Sequence, residues 1–273
     1  MKVKILVDTN QSVKGMRKRN SVSYYIETGT HKILFDLGFN SVFATNGNRL
    51  SVDISKVDSV VLSSGFFDVG GGLKSFMELN DMAQIYVQKD AFEPHYTTKM
   101  GMKFSCGLEQ GTKEKAHLVY TNSLYFLDDS IQLLSNVMGL KFSVKGHGKY
   151  YTRQDGEYLE DTYCHEQYLL IEEKGKNILF LGNPYKGVAN AIQKAESITN
   201  VKVHEVFTGF QLLEEALKIE ENAQQVNECL KELKAGNCHF FISRLNGKDA
   251  VAELENNLKS QITYFSQGEE IVI

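Results

Sequence analysis

The residues best placed to do chemistry sit in one stretch, Asp58-Ser-Val-Val-Leu-Ser-Ser-Gly-Phe-Phe-Asp-Val-Gly-Gly-Gly-Leu73. Ser64 offers a hydroxyl, Asp68 a carboxylate, and Gly70, Gly71 and Gly72 allow a tight backbone path. A serine on a strand-to-helix loop can be a nucleophile, with His165 as base, but Ser-Gly-Phe-Phe lacks the Gly-x-Ser-x-Gly elbow that exposes such a hydroxyl. The glycines can cradle an anion on helix amides, yet Leu73 stands where a P-loop needs Lys and then Ser or Thr. The remaining histidines, His31, His95, His117, His147, His204 and His239, show neither a His-x-His nor a His-Glu-x-x-His spacing. Cys106, Cys164, Cys229 and Cys238 are far apart and read as free thiols.

These residues need an α/β framework to hold them. Val60, Val61 and Leu62 predict a short buried strand, Ser63 to Gly72 a loop and Leu73–Leu79 a helix. Ala83–Val87 returns as a strand able to pair in parallel across that helix. Upstream, strands are expected at Lys2–Thr9, Ser21–Glu27 and Lys32–Asp36, with helical turns at Ser41–Asn46 and Asp53–Lys56. Short strands are expected at Leu118–Tyr120, Leu124–Leu127, Ile131–Ser135 and Leu140–Ser143. Tyr150–Asp161 is polar and reads as a mobile loop. The second half repeats the logic: strands at Gln167–Glu172, Asn177–Leu181, Val203–Phe207 and His239–Ile242, and helices at Val188–Ala195, Ala223–Lys234 and Lys248–Leu258.

The chain has 273 residues, of which 42% are hydrophobic, enough for a substantial core. A net charge of −4 gives no general field for a nucleic-acid backbone. The basic run Lys14–Arg19 is short and reads as a solvated loop. No apolar run approaches the ~18 residues of a membrane span, and the amino-terminal residues enter a strand directly, so a cytoplasmic protein with neither nucleic-acid nor membrane partner is expected.

The central stretch resembles the metal-binding segment of the metallo-β-lactamase superfamily, Leu-Ser-His-x-His-x-Asp-His-x-Gly-Gly-Leu. Ser64, Phe66 and Val69 occupy its three histidine places, and Asp68 alone matches. Further on, Asp161-Thr-Tyr-Cys-His165-Glu-Gln-Tyr-Leu-Leu-Ile-Glu-Glu is similar to a Phe-x-His-Glu-Gln-x-Leu-x-Ile-Glu run in that superfamily's group of metal-dependent hydrolases and dihydropterin ribofuranosyl-aminobenzene-phosphate synthase-like proteins. In the same group's motifs Tyr185, Gln211 and Arg244 stand for histidines. The resemblance implies one four-layer αββα domain over 1–273, built from halves of about 1–140 and 141–273. It also implies that Asp36, closing a Leu-Phe-Asp-x-Gly hairpin, braces the loop, and that His165 lies beside the pocket as a satisfied structural histidine.

Zinc needs about three nitrogen, sulfur or carboxylate ligands, and Phe66 and Val69 can supply none. Arg244 would place a fixed positive charge where a cation belongs and could pair with Asp68 instead. The expectation is therefore a dismantled site with no metal, no cofactor and no catalytic residue. A pocket of Ser64, Phe66, Asp68, Val69, His165, Tyr185, Gln211 and Arg244 would bind a small anionic molecule or serve regulation. The alternative is a working metal-dependent hydrolase, using zinc or another divalent ion at an atypical site. An interaction protein acting as a homo-oligomer is a third reading.

Overall fold

The computed structural model describes residues 1–9, 13–138, 149–243 and 247–273. The expected strand at Leu140–Ser143, His147 and Arg244 lie outside them. The chain divides into two compact units. One comprises Met1–Asn122, Tyr150–Gln167 and Ser266–Ile273, and the other Ser123–Lys149 and Tyr168–Phe265.

In the first unit a seven-stranded sheet runs Glu270–Val272, Lys2–Val7, Ser23–Glu27, Lys32–Phe35, Ser59–Val61, Gln84–Gln88, Leu118–Thr121. The first four strands are antiparallel neighbours, and from Lys32–Phe35 onward the pairs are parallel. Parallel neighbours need crossovers, and the helix Leu73–Leu79 supplies the one between Ser59–Val61 and Gln84–Gln88, as its sequence predicts. Alternation sends Leu6, Leu34, Val60 and Ile85 to one sheet face, where Val42 and Phe43 of helix Val42–Arg49 and Leu73 and Phe76 of helix Leu73–Leu79 join them in a core cluster.

The same unit carries a second sheet of four strands in the order Glu157–Glu160, Tyr150–Gln154, His95–Lys99, Met102–Ser105. This corrects the mobile loop expected at Tyr150–Asp161: most of it is an antiparallel hairpin, paired from Tyr151 with Glu160 to Gln154 with Glu157. Its Tyr150–Gln154 arm pairs with His95–Lys99. Ladder hydrogen bonds, rather than any buried apolar face, hold these residues in strands; all of Glu157–Glu160 is exposed.

The second unit's seven-stranded sheet runs Ile262–Phe265, His239–Ser243, Val203–Thr208, Lys176–Gly182, Gln167–Glu173, Ile131–Ser135, Leu124–Phe126. Four of its strands, from Lys176–Gly182 to Ile262–Phe265, run parallel to one another. Helices Val188–Thr199, Gln211–Leu217, Ala223–Gly236 and Lys248–Leu258 contribute Ile192, Ala216, Leu230 and Leu254 to a cluster with Leu179, Val206 and Phe240. The residues one position on point the opposite way and form a ladder: Phe180 stacks on Phe207, and Phe207 on Phe241, each at 4.6 Å between ring centres. Among the described residues no helix is long and apolar enough to cross a membrane.

Candidate functional site

The loop after strand Ser59–Val61 is fixed from both sides. Asp36, in the left-handed region at φ 59°, accepts the Ser63 N–H at 2.7 Å on Oδ1 and the Ser63 hydroxyl at 2.8 Å on Oδ2. The following Leu37 and Gly38 N–H groups donate to the Val69 carbonyl at 2.9 and 3.0 Å, and Gly72 N–H donates to Gly38. A Cβ on Gly72 would lie 2.6 Å from the Asn40 carbonyl oxygen, so glycine is required for this approach. Phe67–Gly70 forms a single helical turn.

The His165-Glu-Gln167 run staples the other side. Gln167, fully buried, donates its backbone N–H to the Ser63 carbonyl and its side-chain amide to the Leu62 and Tyr86 carbonyls at 2.8 and 2.9 Å. It thereby ties the end of strand Ser59–Val61 to its parallel neighbour Gln84–Gln88. His165 Nδ1 accepts the Gly65 N–H at 2.9 Å.

Behind this contact is a cluster the sequence reading misses. His95 Nδ1 lies 2.8 Å from Asp161 Oδ2, and His165 Nε2 lies 3.4 Å from the same oxygen. Asp161 Oδ1 accepts the Tyr163 N–H at 2.7 Å. The two imidazoles stand 4.1 Å apart between centres and are buried to 1–2% exposure. Phe66, 3% exposed, presents its ring edge-on to both at 5.4 and 4.7 Å and packs on Tyr150 at 4.7 Å. Strand His95–Lys99 brings in His95, and the turn after Glu157–Glu160 brings in Asp161 and His165. The spacing Asp161-x-x-x-His165 was the available sequence signal; His95, 66 residues from Asp161, left none.

Burial opposes ionisation of Asp161, but the His165 and His95 rings that face it outweigh that and hold the carboxyl below the usual carboxylate range. Burial pushes His165 below its ordinary value, so the ring is neutral at neutral pH. A neutral ring whose Nδ1 accepts a backbone N–H carries its proton on Nε2, facing Asp161. His95 Nδ1 faces the same carboxylate, and its Nε2 is buried without a hydrogen-bond partner among the described residues. Gly65 closes that side: a Cβ there would fall 2.8 Å from His95 Nε2 and 2.3 Å from the Ala91 carbonyl oxygen.

The other predicted pocket residues are distributed as follows. Ser64 is buried, and Val69 is turned against the core of its unit. Asp68 is half-buried, and burial pushes its carboxyl up to about 6. Burial likewise pushes the nearby Cys106 thiol up to about 12, so it is not a thiolate nucleophile at neutral pH. Tyr185 and Gln211 belong to the second unit, half-buried, on loops following the parallel strands Lys176–Gly182 and Val203–Thr208; Gln211 opens its helix. The structure thus collects Ser64, Phe66, Asp68, Val69 and His165 in one unit.

The fold's metal chemistry can be tested against these side chains. A metal-bound histidine normally donates its other ring N–H to an acceptor, whereas His165 Nδ1 faces a donor. The loop positions Ser64, Phe66 and Val69 hold no imidazole or carboxylate. Elsewhere in the first unit, His95, Asp161 and His165 place ligand-type atoms within 4.8 Å of one another.

No family model matches the chain. Tm1679, a metal-dependent hydrolase of the β-lactamase superfamily, superposes with a TM-score of 0.84 at 18% identity, covering 100% of this chain and 99% of that one. Zinc-bound PqqB from Methylobacterium extorquens reaches 0.58 at 11% identity over the whole of both chains. YhfI from Bacillus subtilis, a metallo-β-lactamase fold protein, reaches 0.57 at 10% identity, covering 99% of each. In sequence, the chain is 27% identical over 213 residues to the uncharacterized protein MJ0448 of Methanocaldococcus jannaschii, covering 77% of this chain and 79% of that protein. It is 24% identical over 214 residues, 72% of each chain, to the same organism's 7,8-dihydropterin-6-methyl-4-(β-D-ribofuranosyl)-aminobenzene-5'-phosphate synthase. The fold is α/β and of the metallo-β-lactamase type, as the sequence motifs imply.

Proposed function

Given a metallo-β-lactamase fold, we propose that this chain has lost the superfamily's metal site and works as a small-molecule-binding or regulatory protein rather than a metal-dependent hydrolase. The observation that carries this reading is the hydrogen bond from Gly65 N–H to His165 Nδ1. It positions the loop without a cation and sets the ring in the tautomer opposite to a ligand's. Phe66 supports it by filling a histidine place with a ring packed on the two imidazoles. Half-buried Asp68, whose carboxyl burial pushes up to about 6, is the ionisable group of this loop that a ligand would meet.

The second reading, an active metal-dependent hydrolase with an atypical site, is favoured by the proximity of His95, Asp161 and His165. Metal analysis of the purified protein, before and after incubation with zinc, manganese or iron, separates the two. The proposal expects substoichiometric metal that does not change in D68A or H95A. One ion per chain, lost in either variant, refutes it and selects the hydrolase.

A further inference from the structure

Although the chain is net acidic, it concentrates positive charge at one place in the first unit. Lys14, Arg17, Lys18 and Arg19 are exposed on the connection that precedes strand Ser23–Glu27. This connection is pinned: Met16 is buried, Arg17 N–H donates to Asn46 Oδ1 at 3.0 Å, and the Asn46 amide donates back to the Arg17 carbonyl at 2.9 Å and to Leu6 at 2.8 Å. Arg19 N–H donates to the Asp8 carbonyl. Exposed Arg49, ending helix Val42–Arg49, reaches the same place; a Cβ on Gly15 would lie 2.9 Å from its guanidinium. Among the described residues none of these five cations makes an ion pair. Close like charges repel one another, yet 34 acidic residues leave them unneutralised.

Arg49 also lines a surface depression of about 810 Å³ with Thr45, Asn48, Ser51 and Ser55. Asp53, the carboxylate on its wall, is already engaged by the Ser55 N–H and hydroxyl at 3.1 and 2.6 Å. A volume of that order suits a small organic molecule.

We propose that the Lys14–Arg19 segment and Arg49 bind the phosphates of a soluble di- or triphosphate ester, whose remaining part lies in the adjoining depression. Guanidinium forks match phosphate oxygens in pairs, and several cations side by side match linked phosphates better than a single carboxylate. Met16 is turned inward, which leaves a bilayer little apolar surface to take up. Nucleic acid would meet the rest of an acidic chain. The site uses nothing of the Ser63–Gly72 loop, so its fate is independent of the function proposed above.

The test is calorimetric titration of the full chain with tripolyphosphate and with adenosine triphosphate at two salt concentrations. Phosphatidylserine vesicles and a single-stranded oligonucleotide run in parallel. Tripolyphosphate should bind, weaken with salt, and lose at least about tenfold in affinity in R17E/K18E/R49E, the scale of three exposed charge pairs. The milder K14Q/K18Q/R19Q, checked for folding by circular dichroism, should move the same way. Adenosine triphosphate should bind more tightly than tripolyphosphate. No binding, equal affinity in wild type and variants, or binding confined to vesicles or oligonucleotide overturns the site. Equal affinity for the two phosphates overturns the part assigned to the depression.

Discussion

Replacing Asp36 by Asn should flatten the protein's stability against pH in a defined window. Burial pushes the Asp36 carboxyl from its ordinary 3.8 up to about 8, against the lowering effect of its two hydrogen bonds with Ser63. The unfolded chain gives up this proton near pH 4 and the folded chain keeps it to about pH 8. Over that range the folded state binds more protons, so stability falls as pH rises. One proton corresponds to at most about 1.4 kcal/mol per pH unit. Asp68 contributes in the same sense only up to about pH 6, and His165, held below its ordinary value, contributes in the opposite sense; the difference from D36N removes both and leaves about 2 kcal/mol for Asp36 between pH 6 and 8. Asn retains an oxygen for the Ser63 N–H; its amide N–H replaces the oxygen that accepts the Ser63 hydroxyl, so that hydroxyl turns to accept, as it would from the protonated acid. The chain has no tryptophan, so urea unfolding is best followed by far-ultraviolet circular dichroism at pH 6, 7 and 8. The wild type should lose stability relative to D36N across this series. Parallel curves for the two proteins, or a variant destabilised equally at each pH, would mean that Asp36 is ionised when folded and that the argument is wrong.

Gly65→Ala should destabilise by about 1–3 kcal/mol or more, because its Cβ meets a backbone oxygen at 2.3 Å and His95 Nε2 at 2.8 Å; a thermal melt unchanged from wild type would contradict the packing described. His165→Ala strands the buried Gly65 N–H and opens a cavity, at a cost of roughly 2–4 kcal/mol in urea unfolding. His165→Asn, which can keep an acceptor near the same N–H, should lose less than the alanine variant.

The central βαβ unit is legible because Val60 to Leu62 is a fully apolar run followed by polar and glycine punctuation, and Gln84–Gln88 repeats the signal. Helix Lys248–Leu258 keeps its expected bounds because Ala250, Leu254 and Leu258 mark one face at helical spacing. The hairpin Tyr150–Glu160 was hidden for the opposite reason: with little buried surface, it leaves no alternation to read. Strands His95–Lys99 and Met102–Ser105 were hidden likewise. The loop's side chains could be read one by one, whereas the imidazole cluster depends on a register between strands far apart in the chain. The tautomer of His165 depends on a single backbone amide, 100 residues away, that no local pattern signals.

The first sheet has a consequence for synthesis on the ribosome. Its outer position beside Lys2–Val7 is taken by Glu270–Val272, joined through partners such as Val3 with Ile271, while all of the second unit's residues are translated between the two. The early strand Lys2–Val7 therefore holds an open flank until Glu270–Val272 is made, a delay that favours rapid local collapse elsewhere and exposes that flank to chaperones or misplaced partners.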